Sequence, residues 1–145
     1  EDDHCVTQHY SKEYFHTNLQ QAQKQGALLL NGGIGGFGTA VRVSAHRYWV
    51  DWFWSTQFVV IYAPLFDDIL AYAFQATDTA DGVLSALTPY KMAIYPFISV
   101  QKGFGYSDVS ESNDRFPERV EHYFEKSSQR LAHLHNIPQY FLHKG

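Results

Sequence analysis

The sequence predicts a mostly α-helical protein with charge-poor central helices and an amphipathic C-terminal helix. Two observations support this class: the charges are distributed unevenly, and several segments carry apolar residues at helical spacing. Of the 26 Asp, Glu, Lys and Arg residues, 8 lie in the apolar middle, residues 25–101, and 18 lie in the remaining 68 positions. The alternative is a small α/β protein with a three-stranded parallel sheet formed by residues 27–31, 58–63 and 92–100.

The first helix is predicted over residues 11–25. Ser11 is suited to cap its amino end because its hydroxyl can accept a hydrogen bond from a free backbone N–H group. An apolar stripe follows at positions three and four apart, formed by Tyr14, Phe15, Leu19 and Ala22.

A long central helix is predicted over residues 39–63. Arg47, Asp51 and Ser55 repeat every four residues, which indicates a narrow polar face on an otherwise apolar helix. At this spacing Arg47 and Asp51 would form a modest ion pair if both side chains were exposed. Pro64 ends or kinks the helix.

A short helix is predicted over residues 66–75, and loops are predicted over residues 77–82 and 103–113. Residues 83–100 form an undecided segment, and a final helix is predicted over residues 114–136. Pro89 and Pro96 interrupt the undecided segment, which suits either a strand or a broken helix. Asp114 resembles an N-cap for the final helix, whose apolar positions recur along one face. All of these elements are expected to form one domain, residues 1–145.

The composition excludes some classes of function. A net charge of -4 argues against a nucleic-acid-binding domain, since these usually carry basic excess. The single cysteine, Cys5, cannot form an intramolecular disulfide. The first residue is Glu1 rather than Met, so we expect either that a leader was removed or that the numbering begins inside a longer precursor. A removed leader would fit the mitochondrion or another organelle.

The glycine-rich run over residues 31–38 has two interpretations with chemical content. Gly33, Gly35 and Gly38 satisfy GxGxxG, and the run resembles the TGxxxGxG phosphate turn of the short-chain dehydrogenase/reductase family, with Asn31 in place of Thr. That resemblance implies a nucleotide-binding protein or oxidoreductase, with a pyrophosphate at the amino end of a helix beginning at Thr39. The YxxxK motif of the family is absent.

The same glycines also suit close packing of helices in a membrane, because Gly32 and Gly36 form a GxxxG pair. Trp49, Trp52 and Trp54 follow within six residues, beside cationic side chains. Such a group is typical of a membrane interface, although a large aromatic core has the same composition.

A third interpretation is a metal or ligand site on the first helix. His9, Glu13 and His16 have the spacing of one helix face, and residues 13–16 contain the ExxH spacing of di-iron bundles. No second ExxH accompanies it, so no metal-binding residue is assigned.

These observations favour a non-catalytic accessory or structural subunit of a membrane-associated multi-subunit complex. Its expected partners are other protein subunits and lipid. No complete set of catalytic or cofactor-binding residues is found, and no cofactor is assigned. The small soluble nucleotide-binding protein and the soluble helical metal- or ligand-binding domain remain the alternatives.

Overall fold

A five-stranded mixed sheet lies at the centre of the computed structural model, which describes residues 4–103 and 118–142. Helices pack on both faces of the sheet, and two further strands form a separate pair. The strands are β1 (His4–Val6), β2 (Leu29–Asn31), β3 (Ala40–Arg42), β4 (Arg47–Val50), β5 (Val59–Ile61), β6 (Lys91–Ile94) and β7 (Ser99–Gln101). The helices are α1 (Lys12–Lys24), α2 (Phe66–Ala71), α3 (Ala80–Leu87) and α4 (Glu118–Leu142), with a 3-10 turn at Ala63–Leu65.

The strand order in the large sheet is β3-β4-β6-β2-β5. The central strands β2 and β6 run parallel, while the other neighbouring pairs run antiparallel. Strands β1 and β7 form the separate antiparallel pair. The fold class is therefore α/β, and the prediction of a mostly α-helical protein is wrong. The three-stranded parallel sheet is also not formed, because only β2 and β6 are parallel among the strands of the described residues.

The predicted central helix, residues 39–63, is replaced by β3, β4 and β5. Branched and aromatic residues such as those of β4 and β5 pack well on a pleated surface, and three of the four residues of β4 are buried. The backbone of Ser55 has a φ of 81°, which a right-handed helix does not contain. The four-residue spacing of Arg47, Asp51 and Ser55 is thus a coincidence of sequence and not a helix face.

Other predicted boundaries differ less from the structure. Helix α1 begins after Ser11, whose hydroxyl accepts a hydrogen bond from the Tyr14 amide at 3.0 Å, as expected. Helix α2 is shorter than residues 66–75, and α3 begins within the predicted loop 77–82, capped by Thr79.

The later part of the chain also needs correction. The undecided segment 83–100 divides into most of α3, then β6, and the start of β7. Helix α4 extends to Leu142, past the predicted end at residue 136, and its course includes Pro138. The predicted cap Asp114 and nearly all of the loop 103–113 lie outside the described residues.

Two clusters of buried side chains cover the two faces of the sheet. Adjacent residues of β2 point to opposite faces, so Leu29 joins one cluster and Leu30 the other. Phe124 and Leu131 of α4 belong to the first cluster, and Ala22 of α1 belongs to the second. The charge-poor middle of the chain therefore forms most of the buried core.

Candidate functional site

Helix α4 separates two surface grooves, and it contributes different side chains to each of them. Phe124, Ser127 and Leu131 form its buried side. One flank carries Lys126, Arg130 and His133 at spacings of four and three, so these three side chains lie on one helix face. The other flank carries Glu121 and Glu125, four residues apart.

The first cavity, here called the basic groove, has a volume of about 640 Å³ and lies between α4 and residues 37–40. It is lined by Phe37, Gly38, Thr39, Ala40, Lys126, Gln129, Arg130, His133 and Leu134. No acidic residue is among these lining residues. The basic groove therefore offers cationic groups to a ligand although the chain as a whole is acidic.

Arg130 joins the two walls of the basic groove. Its Nη1 atom donates to the carbonyl oxygen of Phe37 at 2.7 Å, and its Nη2 atom donates to that of Gly38 at 2.7 Å. The guanidinium carbon lies 4.0 Å from the centroid of the Phe37 ring, within cation–π range. These partners are neutral, so they orient the positive charge without cancelling it.

The glycine-rich loop, residues 31–38, is not arranged as a phosphate turn. Strand β3 follows it, whereas a dinucleotide-binding turn leads into a helix. The Gly38 N–H group donates to Oδ1 of Asp51 at 3.0 Å, so this amide of the glycine-rich run already has an internal carboxylate as its acceptor. The loop is also not a membrane-packing helix. At Gly33 the backbone approaches the Ser99 carbonyl so closely that an added Cβ would overlap it.

Backbone hydrogen bonds favour the ionised form of Asp51. Burial alone would raise its pKa, but backbone N–H groups at Thr39, Trp52, Gly38 and Asp51 itself together hold that pKa below its usual value. The carboxylate thus acts as a fixed anion beside the loop.

An aromatic cluster of Trp52, Trp54 and Tyr123 continues the surface beside the basic groove. The two indole rings lie 5.3 Å apart, and the Trp54 ring lies 5.8 Å from the Tyr123 ring. The Arg119 guanidinium lies 6.0 Å from the Tyr123 centroid. Trp52 and Trp54 are 36 % and 48 % exposed, so the cluster is accessible at the surface instead of filling the core.

The second cavity, here called the glutamate groove, has a volume of about 710 Å³. Tyr95, Pro96 and Phe97 line it beside α4, and its other walls come from the segments around β1 and β7. Its remaining lining residues are Thr7, Gln8, His9, Val100, Gln101, Lys102, Glu121, Phe124, Glu125, Ser128 and Gln129. Amides, hydroxyls and charges of both signs share these walls, so no single charge dominates the glutamate groove.

The condition for an ion pair between Arg47 and Asp51, that both side chains be exposed, is not met. Arg47 is buried, with its Nη1 atom 2.8 Å from Oδ1 of Asn18 and its Nε atom 3.1 Å from Oε1 of Gln25. Burial lowers the pKa of Arg47 and, in the same region, raises that of Tyr62 to about 12. Arg47 therefore helps to attach α1 to the sheet and does not belong to either groove.

The histidine pattern does not become a site on one helix. His9 precedes α1, which begins at Lys12, so His9 does not share a helix face with Glu13 and His16. In the described part of the chain, no three His, Cys, Asp or Glu side chains are grouped so that they could hold a metal ion.

The basic groove was not predicted, although the side chains that α4 contributes to it have a recognisable spacing in the sequence. Lys126, Arg130 and His133 have helical spacing within the predicted final helix, but the opposite wall comes from residues about 90 positions earlier. Of the three tryptophans that the sequence places close together, Trp52 and Trp54 pack against each other in the aromatic cluster. Trp49 lies apart and donates its indole N–H to the Pro89 carbonyl at 2.7 Å.

Over residues 4–103 and 118–142, no helix combines the length and the apolar character needed to cross a membrane. Comparisons of the chain with models of protein families, with curated proteins and with solved structures find no match.

Proposed function

We propose that the protein is a non-catalytic accessory subunit that associates with an anionic membrane surface through the basic groove and the aromatic cluster. One observation carries the proposal: Trp52 and Trp54 are exposed beside the face of α4 that bears Lys126, Arg130 and His133. This arrangement combines the two kinds of side chain that favour the interface between lipid and water.

Indole rings are favourable at the level of lipid headgroups because the ring is apolar while its N–H group can remain hydrated. Lys and Arg side chains near an anionic leaflet each contribute about 1 kcal/mol of attraction, which salt weakens. The charge and the aromatic surface therefore act together. A protein held in this way lies on the membrane and does not span it.

The two features form one continuous surface. Tyr123 contacts Trp54, and the Trp52 ring lies against Gly36 and Gly38 of the glycine-rich loop. Gly38 accepts a hydrogen bond from Arg130 at the edge of the basic groove. A flat anionic surface can therefore meet the indoles and the cations at the same time.

The test is co-sedimentation of the full chain with vesicles of phosphatidylcholine, with and without phosphatidylserine, at low and high salt. We expect binding to the mixed vesicles only, and weaker binding as salt rises. Lys126→Glu should lower the affinity about 30-fold, since reversing one charge changes the attraction by about 2 kcal/mol. Trp52→Ala combined with Trp54→Ala should also lower it.

Two matched variants separate this surface from the rest of the protein. Glu125→Gln removes a charge from the glutamate groove and should not weaken binding. Phe74→Ala removes an exposed aromatic ring outside the cluster and should also leave binding unchanged. Absence of binding to the mixed vesicles, or equal affinity for K126E and the unaltered chain, would reject the proposal.

A further inference from the structure

The glutamate groove is larger than the basic groove and has the size of a small-molecule site. Its volume of about 710 Å³ lies within the range of about 300–1,000 Å³ that is usual for such sites. Part of its wall, here called the apolar lining, consists of Tyr95, Pro96, Phe97, Val100 and Phe124. A ligand with an apolar body can therefore remove that body from water in this groove.

Packing and hydrogen bonds hold the apolar lining in place. The Phe97 ring lies 6.2 Å from the Tyr95 ring and 6.5 Å from the Phe124 ring, both in edge-to-face contact. The Thr7 hydroxyl donates to the Phe97 carbonyl at 2.6 Å, and the Tyr14 hydroxyl donates to the Tyr95 carbonyl at 3.0 Å. Because the lining is already ordered, a ligand does not have to supply the free energy of ordering it.

Charged side chains of opposite sign stand on opposite walls of the groove. Glu121 and Glu125 belong to α4, whereas Lys102 follows β7 on the strand side. All three side chains are exposed, and among the described residues their charged groups make no ion pair or hydrogen bond. Like charges four residues apart on a helix repel each other, so a cationic group placed beside both carboxylates would relieve that repulsion.

We infer that the glutamate groove binds a small zwitterion with an apolar side chain, such as a free aromatic amino acid. The ammonium group of the ligand lies at Glu121 and Glu125, its carboxylate lies at Lys102, and its side chain packs on the apolar lining. The inference is independent of the proposed membrane function, which uses the other flank of α4.

A ligand with a single charge matches these walls less well. An anion would meet the two carboxylates of α4, and a simple cation would leave the Lys102 ammonium without a partner. Neutral polar side chains on the same walls can hydrogen-bond to either end of a zwitterion. These side chains include Thr7, Gln8, Ser128 and Gln129.

Isothermal titration calorimetry of the full chain with three matched probes tests the inference. Phenylalanine carries both charges, phenethylamine carries only the ammonium group, and hydrocinnamate carries only the carboxylate. We expect phenethylamine to bind about fivefold more weakly than phenylalanine, which is the contribution of one favourable exposed ion pair, and hydrocinnamate to bind most weakly. Alanine keeps both charges but lacks the ring, so it should bind at least about tenfold more weakly than phenylalanine.

Lys102→Met acts on only one end of the ligand and gives the sharpest test. It should weaken the binding of phenylalanine about fivefold without weakening that of phenethylamine, so that the two probes bind alike. Glu121→Gln combined with Glu125→Gln should weaken both probes about 25-fold, since two ion pairs are lost. Lys126→Met, on the other flank of α4, is the matched control and should change neither affinity.

Circular dichroism confirms that each variant is folded. Three results would each overturn the inference: no saturable binding of phenylalanine, equal affinities of the unaltered chain for phenylalanine and phenethylamine, or equal losses of phenylalanine affinity in K102M and K126M.

Discussion

The basic groove and the glutamate groove share α4 as a wall, yet they differ in charge and in how they are held. In the basic groove, Arg130 bonds directly to two carbonyls of the glycine-rich loop. In the glutamate groove, Glu121 and Glu125 are exposed, and the contact between α4 and the sheet depends on the packing of Phe124. The difference shows that one amphipathic helix can present two chemically distinct surfaces when its two flanks border different parts of the fold.

The largest expected effect comes from removing the packing that both grooves share. Phe124 is 2 % exposed, and its ring lies 6.5 Å from that of Phe97. Phe124→Ala should reduce the free energy of unfolding by about 3–5 kcal/mol, because it leaves a cavity under α4. Urea denaturation followed by circular dichroism measures this loss.

The neighbouring variant Glu125→Ala provides the control for Phe124→Ala. It shortens an exposed side chain on the same turn, so it should change the free energy of unfolding by less than about 0.5 kcal/mol. Equal losses for the two variants would show that α4 is not held by its buried side.

A smaller effect is expected from Arg130, which acts on the basic groove alone. Arg130→Met should cost about 2–4 kcal/mol, since it removes two hydrogen bonds from a charged group and leaves two carbonyls without that donor. Hydrogen exchange should show faster exchange at the amides of residues 37–40. Lys126→Met removes an exposed cation one turn earlier and should leave both measurements almost unchanged; similar losses in the two variants would contradict the role given to Arg130.

The smallest expected effect is a dependence of stability on pH, which comes from His135 where α4 meets the strands. Burial, with Arg42 and His46 nearby, lowers the pKa of His135 below its usual 6.5, and the imidazole lies 3.3 Å from the Tyr48 hydroxyl. Below pH 6.5 the unfolded chain therefore binds a proton more readily than the folded chain. This contribution to stability is complete above pH 6.5 and is lost as the pH falls from 6.5 through the folded pKa.

Urea denaturation between pH 5 and 8 should reveal this loss, and His135→Gln should reduce the slope. His122→Gln replaces an exposed histidine of the same helix and is the matched control. If H135Q titrates like the unaltered protein, the pH dependence comes from another group.

Features of neighbouring residues in the sequence predicted some helices correctly but did not predict the sheet. The Ser11 cap and the apolar stripe after it correctly predicted α1, because both act within one helix. Strands of three or four residues are too short to show a clear period of two, so the polar repeat Arg47, Asp51, Ser55 suggested a helix instead. The order of strands, with β6 between β2 and β4, depends on contacts between residues far apart in sequence.

In the candidate site, too, the features within one segment could be predicted and the contacts between distant segments could not. Lys126, Arg130 and His133 lie on one predictable helix face, and the close spacing of the tryptophans is visible in the sequence, whereas the exposure of Trp52 and Trp54 is not. The glycine-rich loop that completes the basic groove could not be placed against α4 from sequence, because the contact spans 93 positions. Its resemblance to a phosphate turn was misleading, since spacing does not reveal that Asp51 binds the loop.

The peptide group between Phe37 and Gly38 has a further consequence. Its carbonyl oxygen accepts a hydrogen bond from Arg130, and its N–H group donates to Asp51. A cation and an anion therefore polarise one amide from opposite ends, and each strengthens the hydrogen bond made by the other. The two side chains are energetically linked through this amide, so replacing both should cost less than the sum of the two separate losses in a double-mutant cycle.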